Sequence, residues 1–209
     1  LTGYTWDNIL MLQNMMKTVR NSDNRNITQA LIIFLIKLRT GNSNNCISAI
    51  LEINKILVRR SIDTVLKCFE EQILPEKFGW STQPRDFFIN QSSAAAEKLY
   101  NLENRLALIC DGTYLRHQKS TNNAYQRKSY SGQKKQPLCK PFTICTTNGY
   151  VVELGGPFNA NLNDAQILRQ ILDIPGGLST ILKPCDIFIL DRGFRDVKKY
   201  LEEKGLKKR

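Results

Sequence analysis

Asp111 and Asp191 are the residues of this chain best placed to do chemistry. Each closes a short apolar run: Leu106-Ala107-Leu108-Ile109-Cys110 before Asp111-Gly112, and Ile187-Phe188-Ile189-Leu190 before Asp191. Such runs read as buried strands that end in turns. If the two strands are parallel neighbours, both carboxylates emerge at one C-terminal sheet edge, where mixed α/β sheets place their sites. Adjacent carboxylates repel, which calls for a raised pKa or a cation between them. Their hard oxygens suit Mg²⁺ or Mn²⁺, and two such ions about 3.5–4 Å apart support an in-line phosphoryl displacement. Taken singly, either aspartate also reads as an ordinary turn residue, because Asp-Gly is a frequent turn pair.

The charge pattern points to a polyanion. Thirty Lys and Arg stand against 19 Asp and Glu, a net +11, and +8 of that excess lies after Arg105. Residues 112–140 hold seven Lys or Arg and no acid. Arg127, Lys128, Lys134 and Lys135 are the candidates there for phosphate contacts, with Tyr125 and Tyr130 suited to packing on sugars or bases. The competing reading is a solvated basic loop.

Counting excludes other chemistries. The single histidine, His117, rules out paired-histidine metalloprotease and nuclease motifs and His-rich zinc clusters within this chain; it reads as a polar loop residue. Six cysteines without a C-x-x-C pair read as reduced thiols of an intracellular protein, mostly small core residues. The longest apolar run, Ala30 to Ile36, is too short to span a bilayer, and no cleavable signal is visible. A hydrophobic content of 42% suffices for one or two packed domains and excludes disorder as the dominant state. The chain starts at Leu1 and stops on Lys207-Lys208-Arg209, and reads as a fragment.

The elements that must position these residues fall into two textures. Residues 1–77 read as helical. Trp6, Ile9, Leu10, Leu12, Met15, Met16 and Val19 follow helical spacing, Asn21 to Asn24 break it, and Gln29 to Leu38 predict a buried helix stopped at Gly41. Ser43 can cap a short helix, and a further one is expected from Ser61 to Leu74, ended by Pro75. The stretch from Ser43 to Leu74 has helix-turn-helix spacing, with Lys55, Arg59 and Arg60 at the entry to its second helix, where Arg is the commonest guanine reader. A plain helical bundle shows a similar pattern. Residues 78–104 read as a linker and connecting helix. From 105 the order is strand, hairpin at Asn148-Gly149, helix capped at Asn163-Asp164, strand, helix. Asp164 reads as a helix cap, and Glu202 and Glu203 as solvated charges.

Four stretches carry a family resemblance: Cys110-Asp111-Gly112-Thr113-Tyr114; Gln126 to Lys135; Gly156 to Asp164; and Leu190-Asp191-Arg192-Gly193-Phe194-Arg195-Asp196. They resemble the DDE superfamily endonuclease domain of PIF/Harbinger-type transposases and their host-derived relatives. The resemblance implies a truncated RNase H-like α/β domain over 105–209, which after the helical, helix-turn-helix-like first part makes the chain α+β. It also implies divalent-metal-dependent (Mg²⁺ or Mn²⁺) cleavage and transfer of double-stranded DNA in the nucleus, with Asp111 and Asp191 as catalytic and metal-binding acids. A separate Myb-like DNA-binding partner and a homo-oligomer also belong to that expectation; a membrane does not. The family's third acid, on a later helix beyond another strand, has no counterpart here, so this fragment is expected to be inactive alone. A non-catalytic, transposase-derived DNA-binding protein is the alternative, and a module whose basic loop binds an acidic protein is a third.

Overall fold

The computed structural model describes residues 1–22 and 25–209, and the chain divides into two compact units, Leu1–Phe78 and Gly79–Arg209. The first unit is helical: α1 (Trp6–Met15), α2 (Ile27–Thr40), α3 (Asn44–Leu51), α4 (Lys55–Cys68), a π-helical turn over Phe69–Ile73, and α5 (Leu74–Lys77). Caps set the boundaries. Side-chain oxygens of Asn26, Ser43 and Asn54 accept from the first-turn amides of α2, α3 and α4, and Gly41 closes α2 with φ +66°. Of the expected break after Val19, Asp23 and Asn24 lie outside the described residues, while Asn21 accepts from the Ile27 amide at 2.9 Å.

Helix α2 is the hub because it is apolar on two faces. Leu31, Phe34 and Leu35 pack with Ile9, Met16, Val19 and Val65, while Ile33 and Ile36 pack with Ile47 and Val58. Trp6 and Leu10, placed by their spacing on the buried stripe, are exposed: α1 is short, and the chain beyond it turns Met16 and Val19 into the core instead. The helix expected from Ser61 begins six residues earlier, since Asn54 supplies the cap. Nor does Pro75 end it. The Leu74 amide reaches back five residues to the Phe69 carbonyl, and this wider turn makes room for the proline ring, so helix continues to Lys77.

The second unit is mixed α/β, as the sequence predicts. Two short helices, α6 (Arg85–Ile89) and α7 (Ala94–Tyr100), precede β1 (Ala107–Gly112), β2 (Leu115–Arg116), α8 (Asn123–Ser129), β3 (Tyr130–Ser131), β4 (Gln136–Thr146), β5 (Val151–Asn159), α9 (Asp164–Leu172), a 3₁₀ turn (Leu178–Ile181), β6 (Ile187–Ile189), a second 3₁₀ turn (Arg192–Val197), α10 (Lys198–Glu203) and β7 (Lys207–Lys208). Long β4 pairs antiparallel with β1 on one side and β5 on the other, whereas β6 pairs parallel with β1, and β7 parallel with β6. The β4–β5 hairpin turns where Asn148-Gly149 predicts, by a different turn. Only Gly149 has positive φ, +93°, and the Gly149 amide bonds the Thr146 carbonyl, which makes a three-residue loop with a left-handed glycine.

Residues 79–104, which read as a linker, pack into this second unit. Phe88 is fully buried in its main core beside Leu108, Phe142 and Phe188. Arg85 grips Asp186, just before β6, through two hydrogen bonds of 2.7 and 2.6 Å, and Asp186 also accepts from the Leu106 and Lys183 amides. The apolar stripe of α9 (Ala165, Ile167, Leu168, Ile171, Leu172) covers the sheet face formed by Leu108, Cys110, Phe142 and Ile144. At ~1.5–3 kcal/mol for each large apolar side chain removed from water, that stripe fixes α9, and with it the first residue Asp164, against the ends of β1 and β4.

Candidate metal centre and nucleic-acid interface

The register places Asp111 and Asp191 relative to each other along the sheet. Ala107, Leu108 and Ile109 of β1 pair with Ile187, Phe188 and Ile189 of β6, so each aspartate lies two residues beyond the same rung of one parallel ladder. Side chains alternate across a sheet. Leu108, Cys110 and Phe188 face the α9 side, while Ala107, Ile109, Ile187 and Ile189 face the side covered by Ala96, Tyr100 and Leu102. Asp111 follows the second set in period, and Asp191 follows Ile187 and Ile189. Both residues thus leave the same edge of the sheet, from strands whose spacing is about 4.8 Å, and both are exposed.

Each carboxylate is oriented by its own turn. Asp111 accepts from the Gly112 amide at 2.9 Å. Asp191 caps the following 3₁₀ turn, accepting from Gly193 at 2.7 Å. One oxygen of each is thus held by a main-chain amide. Close by on β4, the Cys145 thiol is pushed up by burial and then by the charge of Asp111, and burial raises the Cys110 thiol further. As hard oxygens on one edge, the two carboxylates suit a Mg²⁺ or Mn²⁺ ion whose remaining positions are filled by water or phosphate oxygen. Among the described residues no third His, Cys, Asp or Glu joins them to form a three-donor cluster. Glu202 and Glu203 are on α10, exposed and paired with Lys198 and Lys199 at 3.8 and 3.9 Å.

Asp164 is not the cap of α9. Asn163 fills that position in a reciprocal capping box with Gln166, which frees the Asp164 carboxylate to turn toward Lys140, 3.4 Å away. Lys140 in turn separates from the other cations of its segment. It is only 5% exposed, whereas Arg116, Lys119, Arg127, Lys128, Lys134 and Lys135 are all exposed. The segment is not a plain loop either: Arg127 and Lys128 occupy the last turn of α8, whose cap is Asn122. Lys134 lies 5.2 Å over the ring of Tyr114, three residues beyond Asp111, which ties the basic surface to the acidic edge. His117, half-buried, faces the Gln118 carbonyl and the Tyr125 ring. The thiols disperse: Cys68 and Cys110 are core residues, while Cys46 and Cys185 are exposed and none is bonded to another.

A family model described as transposase DDE domain matches residues 103–208, half of the chain. The chain belongs to this family. Its transposase DDE domain begins just before β1 and ends in β7, and so takes in both aspartates and the basic segment. Comparison with curated proteins and with solved structures gives no match.

In the first unit, Lys55 is the first residue of α4 and Arg59 and Arg60 lie on its second turn, all exposed. Arg59 pairs with Asp63 at 3.6 Å, and the Arg60 carbonyl accepts from Arg25. These three cations share one helix. No helix of the described residues is long and apolar enough to cross a membrane.

The residues that sequence reasoning missed are Lys140 and the role of Asp164. A signal existed for the first: Leu138, Phe142 and Ile144 alternate as an apolar face of β4, and a lysine sits in that series.

Proposed function

We propose that the chain is a transposase-derived, divalent-metal-dependent DNA endonuclease domain in which Asp111 and Asp191 hold the cation. One observation carries the reading: two neighbouring parallel strands of a transposase DDE domain lead, at the same offset from one paired rung, into these two aspartates. Mg²⁺ or Mn²⁺ bound there would supply the charge that activates an attacking oxygen and relieves the leaving oxygen of a phosphodiester. The chain's own contribution is orientation. The Gly112 and Gly193 amides each fix one carboxylate oxygen and leave its partner for the ion.

Around that edge, Arg127, Lys128, Lys134 and Lys135 contact the phosphates of double-stranded DNA and set its register without reading sequence. Residues 1–77 act as a helix-turn-helix-like DNA-binding region, with Lys55, Arg59 and Arg60 presented to a groove by α4. Within the DDE superfamily, the Gly156 to Asp164 and Leu190 to Asp196 stretches favour the PIF/Harbinger type. Action in the nucleus as a homo-oligomer, beside a separate Myb-like DNA-binding protein, follows from that assignment.

A second reading, a transposase-derived protein that binds DNA without cutting it, is favoured by the missing third donor among the described residues. Mn²⁺ titration followed by electron paramagnetic resonance, with strand cleavage measured in parallel, tests both. The chain is expected to take up one Mn²⁺, and Asp111→Asn and Asp191→Asn to lose it. Unchanged uptake in both variants rejects the metal assignment. Mn²⁺-dependent cutting that Asp111→Asn abolishes decides for the nuclease.

A further inference from the structure

We propose that Asp164 and Lys140 are positioning residues that fix the spacing between Asp111 and Asp191; the inference rests on the metal-binding role of those two acids. Lys140 occupies a core position of β4, between the buried Leu138 and Phe142. A buried ammonium is costly unless its protons find partners. Its Nζ donates to the Leu162 carbonyl at 2.7 Å and to Asp164 Oδ1 at 3.4 Å, and lies 5.1 Å from the centre of the Tyr114 ring. Three segments therefore converge on one charge: the loop entering α9, the first residue of α9, and the chain just after Asp111.

The Asp164 carboxylate, held in this way, fills a space at the ends of both strands. A Cβ on Gly112 would stand 2.7 Å from Asp164 Oδ1, which is closer than atoms can approach. A Cβ on Gly193 would stand 3.8 Å from Asp164 Oδ2 and 3.0 Å from Asp191 Oδ1. So one carboxylate sits against the residue after Asp111 with one oxygen and against the turn after Asp191 with the other. Gly112, which in the sequence reads as the second residue of an Asp-Gly turn, is glycine here because the Asp164 carboxylate comes so close. The Asp164 carboxylate thus stands beside the Asp191 turn as well as beside Gly112.

The experiment is a double-mutant cycle on the 209-residue chain, read as the Mn²⁺ dissociation constant and the thermal midpoint, with Asp111→Asn as the control. Asp164→Ala is expected to weaken Mn²⁺ binding about 10-fold, the usual loss when a partner behind a metal ligand is removed. Asp164→Asn, which keeps the shape, is the milder variant should alanine impair folding, and it is expected to weaken binding in the same direction. Gly112→Ala is expected to weaken binding alone but to add nothing to Asp164→Ala, because the methyl then enters the vacated space. Wild-type affinity in both Asp164 variants, with or without a lower midpoint, overturns the positioning role while the metal reading stands. So do penalties that add in the double variant. Absence of Asp111-dependent Mn²⁺ binding in the wild type overturns the metal reading itself, and the positioning role with it.

Discussion

In the helical unit every candidate DNA-binding side chain rides on one element. Lys55, Arg59 and Arg60 share the first two turns of α4 and need only that helix to stay in place. In the sheet unit Asp111 and Asp191 are eighty positions apart and reach one sheet edge only because β1 and β6 pair. The difference is one of dependence. A local array weakens one side chain at a time, whereas a site assembled by tertiary pairing fails when any support of that pairing fails. The supports of β1 and β6 are accordingly buried and charged, Lys140 with Asp164 at one end of the strands and Arg85 with Asp186 at the other.

The largest expected effect tests that dependence far from the acids. Asp186 is 1% exposed and accepts from two backbone amides as well as from both guanidinium nitrogens of Arg85. Arg85→Ala leaves that carboxylate buried without its cation, at a cost of about 3–5 kcal/mol. The expected outcome is a lowered thermal midpoint with faster amide exchange in β1 and β6, and weaker Mn²⁺ binding as a consequence. An unchanged exchange pattern in β1 would mean that the pairing does not lean on this anchor.

A smaller effect separates the two basic surfaces. If α8 meets only phosphates, Arg127→Ala with Lys128→Ala weakens binding alike on all DNA sequences. The log–log salt slope then becomes shallower by about 0.9 for each phosphate no longer neutralised. If α4 reads base edges, Arg60→Ala costs about 1–3 kcal/mol and relaxes preference at one base position. Binding isotherms on a randomised site at several salt concentrations distinguish the two. Uniform weakening from both sets would make α4 a second phosphate surface.

Legibility in the sequence follows the same division. Strand ends, the hairpin position and the buried helix α2 are visible there because alternation, Asn-Gly and an unbroken apolar run are local signals. The parallel pairing that brings Asp111 and Asp191 to one edge is legible as an expectation, since two short apolar runs each end in an acid. The start of α4 escapes such reading because Asn54 caps as well as any serine, and the run past Pro75 because a π-helical turn leaves no mark in composition. Arg85 and Phe88 sit in a stretch rich in Gly, Ser and Pro, and nothing local announces that they dock against Asp186 and the core. Lys140 falls in with the basic segment when charge is read along the chain, whereas its burial is decided by the far side of the sheet.

The smallest effect concerns a carboxylate with no part in either surface, and so measures what burial without an ion pair costs. Glu153, half-buried on β5, has its carboxyl raised by burial, only partly offset by a hydrogen bond from the Leu154 amide. A folded-state pKa above the unfolded one means that the charged form opposes folding. Its neutral form is the better one for the fold, so stability is full below the unfolded value and declines as pH rises through the folded value. Glu153→Gln removes that decline. The variant is expected to melt one or two degrees, about the shift of a few tenths of a kcal/mol, above the wild type at pH 7, with the gain vanishing as pH drops through the ordinary carboxylate range. Parallel melts of the two proteins between pH 7 and pH 4 check this, and a gain that persists at the acid end would show that side-chain shape, not charge, sets the difference.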